Sequence, residues 1–206
     1  MKTPWIYILL LLLLSVGYIK WQNDKQIQLQ KLIDINEEEY KYLKLQNQLL
    51  QDYYILQYTY NGNTMNDCIV YDEFGKSINL SELLSSDYKV LFYISQNHCT
   101  SCVKRIVEDL KLFMDNVSFN KILIVGEFEN KRKFHSFMKG YDLDCPMFLV
   151  YEQTNPNKIL KDENLPYVCL INNEMLIKDL FIPIKELPNY NIKYYDTIIH
   201  KYKLNL

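Results

Sequence analysis

Two cysteines, Cys99 and Cys102, stand between an apolar, aromatic run and a stretch with a helical pattern. The run Lys89–Ser95 is typical of a strand at the centre of a parallel sheet, and Val103–Met114 is predicted to be helix. This order places both thiols at a helix N-terminus, where unpaired backbone N–H groups and the helix dipole favour a thiolate. Residues three apart in a first turn can also close a disulfide. The sequence therefore predicts a redox-active Cys-x-x-Cys motif.

The composition is that of a globular domain with chain to spare for an anchor or stalk. The chain has 206 residues, of which 49% are hydrophobic and 23% charged, and these values exclude a disordered protein. A net charge of −2 gives no reason to expect a nucleic-acid partner. We therefore expect one folded domain that uses most of the chain.

The N-terminal segment is uniformly apolar from Trp5 to Ile19. It is shorter than the span of about 20 residues that a bilayer requires, but the aromatic residues Trp5, Tyr18 and Trp21 can extend it at the interfaces. The chain contains no alanine and hence no A-x-A cleavage site. We expect residues 1–20 to form an uncleaved signal-anchor helix; a cleaved secretory signal and a buried soluble helix are the alternatives.

A disulfide-capable domain fits an oxidising compartment, so residues 21–206 are placed in the periplasm or extracytoplasmic space, anchored to the cell membrane by a single pass. The flanking lysines Lys2, Lys20 and Lys25 barely select an orientation. The localisation therefore depends on the redox motif more than on charge.

Residues 21–60 are polar, helical in pattern and free of proline and glycine. Within them a heptad seam recurs with alternating spacings of four and three. Its members are Leu29, Ile33, Asn36, Tyr40, Leu43, Asn47, Leu50 and Tyr54. The seam predicts either a parallel coiled-coil homodimer, weakened by two core asparagines, or a single amphipathic stalk helix.

Residues 61–206 alternate strands with helices and finish with a hairpin and a closing helix, which predicts an α/β domain with a mixed sheet. The strands are expected at 67–71, 90–95, 121–126, 146–151, 167–172 and 175–182, and the helices at 81–84, 103–114, 130–139 and 191–203. Gly75 should supply the positive φ of a turn over residues 72–76.

Three features of this region resemble the thioredoxin superfamily, and within it the TlpA/ResA-like membrane-anchored extracytoplasmic thiol-disulfide proteins. They are the motif after a central strand, Pro166 at the start of the run Leu165–Asn172, and the additional segment Asp142–Tyr151. The resemblance covers roughly residues 65–206. It implies a thioredoxin-like three-layer sandwich behind the anchor and stalk, and a cis Pro166 that faces the disulfide; Pro146, the rival proline, comes too early in the order of elements.

The resemblance also implies the activity, which is thiol-disulfide exchange with extracytoplasmic protein substrates and a membrane redox donor or acceptor, without cofactor or metal. Cys99 would be the nucleophile, and Cys102 would resolve the mixed disulfide. Lys104 and Arg105 would favour the thiolate. His98 would stabilise it as imidazolium or shuttle its proton, unless it is an exposed loop residue.

The chain departs from the family at three positions. His98 stands where the family usually has Trp, Tyr93 where thioredoxins have a buried acid, and Arg105 where related anchored proteins often have Glu. The usual proton acceptor is thus absent from both of its positions. The redox potential and the direction of the reaction therefore stay open.

Two other functions are compatible with the motif. A non-catalytic interaction module would keep the pair as a structural disulfide. A metal-binding chaperone is less favoured, because the chain has no second Cys-x-x-Cys. The remaining cysteines, Cys68, Cys145 and Cys169, are expected to be small buried hydrophobes.

Overall fold

A computed structural model describes residues 4–141, 146–154 and 165–204, with the side chains of 4–10, 12 and 138 left aside. The chain divides into two compact units, Met1–Gln51 and Asp52–Leu206. The predicted divisions at residues 20 and 60 differ from this one because a single helix, α1, runs from Pro4 to Tyr60. The proline lies in the first turn, where its missing N–H costs no hydrogen bond.

The first unit is helical at every residue from Pro4 onward. Its heptad seam is open to solvent, with exposed fractions of 50% for Leu29, 46% for Ile33 and 49% for Leu43. In the part of the chain that the structure describes, no helix has an apolar stretch long enough to cross a bilayer. The predicted anchor, residues 1–20, lies partly outside the described residues and side chains.

The second unit is built on one seven-stranded sheet with the order β2-β1-β5-β4-β3-β6-β7. Strands β3, β4 and β5 are parallel, whereas β1, β2, β6 and β7 pair antiparallel with their neighbours, so the predicted mixed sheet is confirmed. The strands are β1 (Ile69–Tyr71), β2 (Ser77–Asn79), β3 (Lys89–Ser95), β4 (Ile122–Phe128), β5 (Met147–Tyr151), β6 (Tyr167–Ile171) and β7 (Ile177–Phe181). The helices are α2 (Thr100–Met114), α3 (Lys131–Tyr141) and α4 (Pro188–Tyr202), with 3-10 turns at Leu80–Leu83 and Phe119–Lys121.

Two hydrophobic clusters cover the two faces of the sheet. Because side chains alternate along a strand, Phe92 of β3 belongs to the cluster with α2, α3 and α4, and its neighbour Leu91 belongs to the opposite one. The opposite cluster includes Leu80 and is covered in part by the last turns of α1, through Tyr53 and Leu56. This packing explains why the second compact unit begins inside the helix.

The chain leaving α1 covers the free edge of β7. The Gly62 N–H donates to the Ile177 carbonyl at 2.9 Å, and the Ile177 N–H donates to the Asn63 carbonyl at 2.9 Å. The Asn61 Oδ1 accepts a hydrogen bond from the Leu180 N–H at 3.1 Å. The last strand of the sheet therefore presents few unpaired backbone groups on its outer edge.

Several predicted elements shift at their ends. The helix expected at 81–84 is a 3-10 turn over Leu80–Leu83 that follows Asn79, and within it the Ser81 hydroxyl donates a hydrogen bond to Asp67. Helix α4 starts at Pro188, since proline is well suited to a first helical position. The last strand is shorter than expected because Met175, at φ 59°, lies in the turn before it. Gly75 has a φ of 91°, as predicted.

Replacement of Leu56 by alanine should lower the free energy of unfolding of the full chain by about 1–2 kcal/mol, because the side chain is half-buried in the second cluster. Its neighbour Ile55 is 61% exposed, and Ile55→Ala should cost less than about 0.5 kcal/mol. Urea denaturation monitored by circular dichroism measures both. Equal costs would mean that the end of α1 does not stabilise the domain.

Candidate active site

The two cysteines of the motif differ in exposure. Cys99 is the exposed residue immediately before α2, and Cys102 lies half-buried in the first turn of that helix. The Val103 N–H donates to the Cys99 carbonyl at 2.9 Å, which closes the first turn. Both cysteines are free thiols in this structure. The predicted position of the motif, after a central strand and at a helix N-terminus, is therefore observed.

Cys99 is held in a state that favours its thiolate. A hydrogen bond from the Cys102 thiol, followed by one from the Ser101 hydroxyl, lowers the pKa of Cys99 from 9.0 to about 6. The Cys99 Sγ and Ser101 Oγ atoms are 3.1 Å apart. Backbone N–H groups of the first turn add to the effect. Cys99 is thus mostly ionised at neutral pH.

The environment of Cys102 favours its protonated thiol. Burial, followed by the hydrogen bond to Cys99 and the charge of Cys99, raises the pKa of the Cys102 thiol from 9.0 to about 11. Two charged groups of the chain after β7 also act on it: Lys185 lowers its pKa and Glu186 raises it. The pair therefore shares one proton, which resides on the less exposed sulfur.

The cationic residues that the sequence suggested as partners of the thiolate are engaged elsewhere. Lys104 lies 3.9 Å from Glu108, and Arg105 lies 2.6 Å from Asp109. Both acids belong to the same helix. Hydrogen bonds, and not these two charges, account for the low pKa of Cys99.

His98 is half-buried and structural in its contacts. The imidazole Nδ1 accepts a hydrogen bond from the Ser95 N–H at 3.0 Å, and the backbone N–H of His98 donates to the Ser95 carbonyl at 3.1 Å. Burial lowers the pKa of His98 to about 4. The imidazole is therefore neutral near pH 7, so the predicted imidazolium is wrong; a role as proton shuttle stays a prediction.

A carboxylate that the sequence did not reveal fixes the loop before the motif. Glu152, at the end of β5, accepts hydrogen bonds from the Gln96 and Asn97 side-chain amides, each at 3.0 Å. The Gln96 N–H also donates to the Glu127 carbonyl at 3.0 Å. The loop is thus tied to the ends of β4 and β5, and no local pattern in the sequence joins residues so far apart.

The domain does bury an acid near the motif, although on another strand. Glu127 of β4 is 2% exposed and accepts a hydrogen bond from the Tyr93 hydroxyl. Tyr93 stacks on Tyr167 with ring centroids 4.8 Å apart. The family resemblance indicates a buried acid only at the positions of Tyr93 and Arg105. A glutamate inside the apolar strand 122–128 was the signal that would have found it.

Pro166 is buried and directly precedes β6. Tyr167 pairs with Tyr93 of β3, so the proline lies at the end of the sheet from which the motif follows. No peptide bond among the described residues is cis, and the Leu165–Pro166 bond is trans. The expected cis Pro166 is therefore wrong; trans is the ground state of an X-Pro bond by about 0.5–1 kcal/mol.

The remaining cysteines fit the expectation of buried hydrophobes where they are described. Cys68 and Cys169 are buried, and burial raises the pKa of Cys169. Cys145 and much of the segment Asp142–Tyr151 lie outside the described residues. Over the described ranges, no three His, Cys, Asp or Glu side chains cluster in a way that could hold a metal ion.

Loss of the Ser101 hydroxyl should raise the pKa of Cys99, because one of its thiolate hydrogen bonds disappears. In Ser101→Ala the midpoint of Cys99 alkylation against pH should move upward from about pH 6. Thr100→Ala is the matched control and should leave the midpoint in place. The measurement is the rate of iodoacetamide labelling of Cys99, followed by peptide mass spectrometry. An unchanged midpoint in Ser101→Ala would contradict the assigned hydrogen bond.

A scan against protein-family models finds no match, and a search of curated proteins finds none that match. Solved structures do match. A proposed electron-transport protein of Aquifex aeolicus is 18% identical over 70% of this chain and 97% of its own, with a TM-score of 0.50. The thioredoxin domain of a thiol-disulfide oxidoreductase of Bacteroides vulgatus is 15% identical over 66% and 97% of the two chains, with a TM-score of 0.44. The likeness to the Aquifex protein shows a shared fold, and the mixed sheet with the motif directly after its central strand β3 has the thioredoxin-like arrangement predicted from the sequence.

Proposed function

We propose that this protein is a thiol-disulfide oxidoreductase that exchanges its Cys99–Cys102 disulfide with protein substrates. The observation that carries the proposal is the unequal sharing of one proton, with the pKa of exposed Cys99 near 6 and that of Cys102 near 11. A structural pair has no need of an exposed thiolate. A low pKa at the exposed Cys99 suits a nucleophile, and a high pKa at the half-buried Cys102 suits the thiol that resolves the mixed disulfide.

The reaction follows from these two states. The Cys99 thiolate attacks a substrate disulfide, a mixed disulfide forms, and one substrate sulfur leaves as thiolate and takes a proton from water. Cys102 then loses its proton and attacks the Cys99 sulfur, which releases the second substrate sulfur. The substrate gains two electrons, and the protein ends as the Cys99–Cys102 disulfide. A membrane redox partner with a lower reduction potential would then reduce this disulfide and restore the dithiol.

The low pKa of Cys99 supports an intermediate redox poise. A stabilised thiolate stabilises the reduced form and is the better leaving group, so a lower pKa makes the disulfide more oxidising. Nucleophilic cysteines with pKa values of about 7 and about 3.5 belong to proteins with potentials of about −270 and −120 mV. With its pKa of about 6, Cys99 lies between them.

The exchange is tested with the two single serine variants. Cys99→Ser should abolish reduction of a model protein disulfide, and Cys102→Ser should accumulate mixed disulfides that resist release. Equilibration of the native chain with glutathione should give a potential between about −270 and about −120 mV. His135→Gln, a change on α3, is the control and should exchange normally. Normal turnover by Cys102→Ser would eliminate the two-cysteine mechanism.

We further propose that residues 1–20 anchor the protein in the membrane and that the domain lies in the periplasm or extracytoplasmic space. The apolar run from Trp5 to Ile19 and the absence of a cleavage site support the anchor. An exposed thiolate with a disulfide partner supports the oxidising side.

The stalk of this anchored protein is proposed to pair with a second copy of the chain. The seam residues are exposed, and in a parallel dimer Glu39 and Lys44 would occupy flanking heptad positions that meet across the interface. This charge complementarity favours a parallel dimer over a stalk that remains single.

Anchor and dimer are tested together in detergent extracts of membranes. The full chain should fractionate with membrane, keep its N-terminus and sediment as a dimer. Leu43→Asp should yield the monomer, because it places a charge in the seam. Leu45→Asp introduces the same charge at an equally exposed position off the seam and should stay dimeric. If the native chain sediments as a monomer, the proposed dimer is wrong. If it is released into the soluble fraction, the proposed anchor is wrong.

A further inference from the structure

A buried polar network joins the helix of the motif to the loop that follows β7. Cys102, Arg105 and Asp109 are spaced by three and four residues, so they lie along one face of α2. Arg105 Nη2 lies 2.6 Å from Asp109 Oδ1. The Asp109 residue is only 2% exposed, and its burial raises the pKa of its carboxyl. A buried acid of this kind is retained only where other groups satisfy it.

Asn191 of α4 connects this acid to the loop. The asparagine is fully buried, and its Nδ2 donates to Asp109 Oδ2 at 3.0 Å and to the Ile184 carbonyl at 3.2 Å. Its Oδ1 accepts a hydrogen bond from the Ile184 N–H at 3.0 Å. One side chain therefore holds both backbone groups of Ile184. These buried hydrogen bonds restrict the conformation of the backbone at Ile184.

The two residues after Ile184 carry the charges that act on Cys102. Lys185 and Glu186 form an ion pair at 3.5 Å. Lys185 favours the Cys102 thiolate and Glu186 opposes it. Burial, followed by the charges of Cys102 and Glu186, raises the pKa of Tyr53. The loop, the motif and the last turns of α1 therefore lie near one another. The charged groups that act on Cys102 are therefore Cys99 of its own motif and Lys185 and Glu186 of this loop.

We propose that Arg105, Asp109 and Asn191 are positioning residues that hold the Lys185–Glu186 pair beside Cys102 and so set the rate at which Cys102 resolves the mixed disulfide. The proposal rests on the exchange activity proposed above. In that step Cys102 gives its proton to water and attacks the Cys99 sulfur, and the substrate thiolate leaves and is protonated. Negative charge develops on Cys102 before attack, so the nearby ammonium of Lys185 accelerates the step and the carboxylate of Glu186 slows it.

The test uses the full chain carrying a preformed mixed disulfide between Cys99 and glutathione, whose release is timed at pH 7. Lys185→Gln should slow release about threefold and Glu186→Gln should accelerate it about threefold. Lys111→Gln removes the same charge from an exposed position farther along α2 and should change nothing. In an Asn191→Ala background, both effects should shrink to less than about 1.5-fold, because the loop is no longer held.

The outcomes separate the two proposals. If glutathione is never released, even from the native chain, the exchange activity fails. If release occurs but is indifferent to Lys185 and Glu186, or if their effects persist fully in Asn191→Ala, the positioning proposal is overturned. Should Asn191→Ala not fold, amide hydrogen exchange of the native chain decides: the Ile184 N–H should be strongly protected, and rapid exchange there would overturn the network.

Discussion

Strand β3 is buried on both faces and paired on both edges, and the site depends on this confinement. Its alternate side chains enter both hydrophobic clusters, so the strand cannot slip by one residue without exposing one set and burying the other. Its carboxyl end is therefore fixed, and the loop that carries the motif starts from a rigid point. Glu152 and the Ser95–His98 hydrogen bonds then bring Cys99 to the first turn of α2.

The chemistry of the pair follows from unequal burial within one turn of helix. Two free thiols have the same intrinsic acidity, and here the exposed one receives hydrogen bonds while the half-buried one donates. The first of the two thiols to lose its proton is therefore Cys99, whose sulfur is the more exposed. The charged residues nearby on α2 are neutralised by their own neighbours, so the assignment of roles does not rest on them.

Apart from the short strand β2, the order of strands and helices could be predicted from the sequence, because local hydrophobic periodicity indicates each element. The motif could be placed because a strand and a helix flank it directly. The roles of Glu127, Glu152 and Asn191 could not, since each acts on residues brought near by the sheet or by a distant helix. The state of His98 was missed for the same reason: its protonation depends on the half-buried environment that folding creates. Pro166 shows the opposite case, where family resemblance implied an isomer that the chain does not adopt.

Residues 61–65 cover the edge of β7, and this limits how a substrate of the proposed exchange could bind to the sheet. In the exchange proposed above, a substrate protein that is not yet folded would carry strands without pairing partners. An open sheet edge would capture these strands by backbone hydrogen bonds and retain them after the chemistry is complete. With one edge occupied by its own chain and the other reduced to the three residues of β2, the domain offers an incoming polypeptide little ladder to extend. In the proposed exchange, the mixed disulfide and not the sheet edge would then hold the substrate.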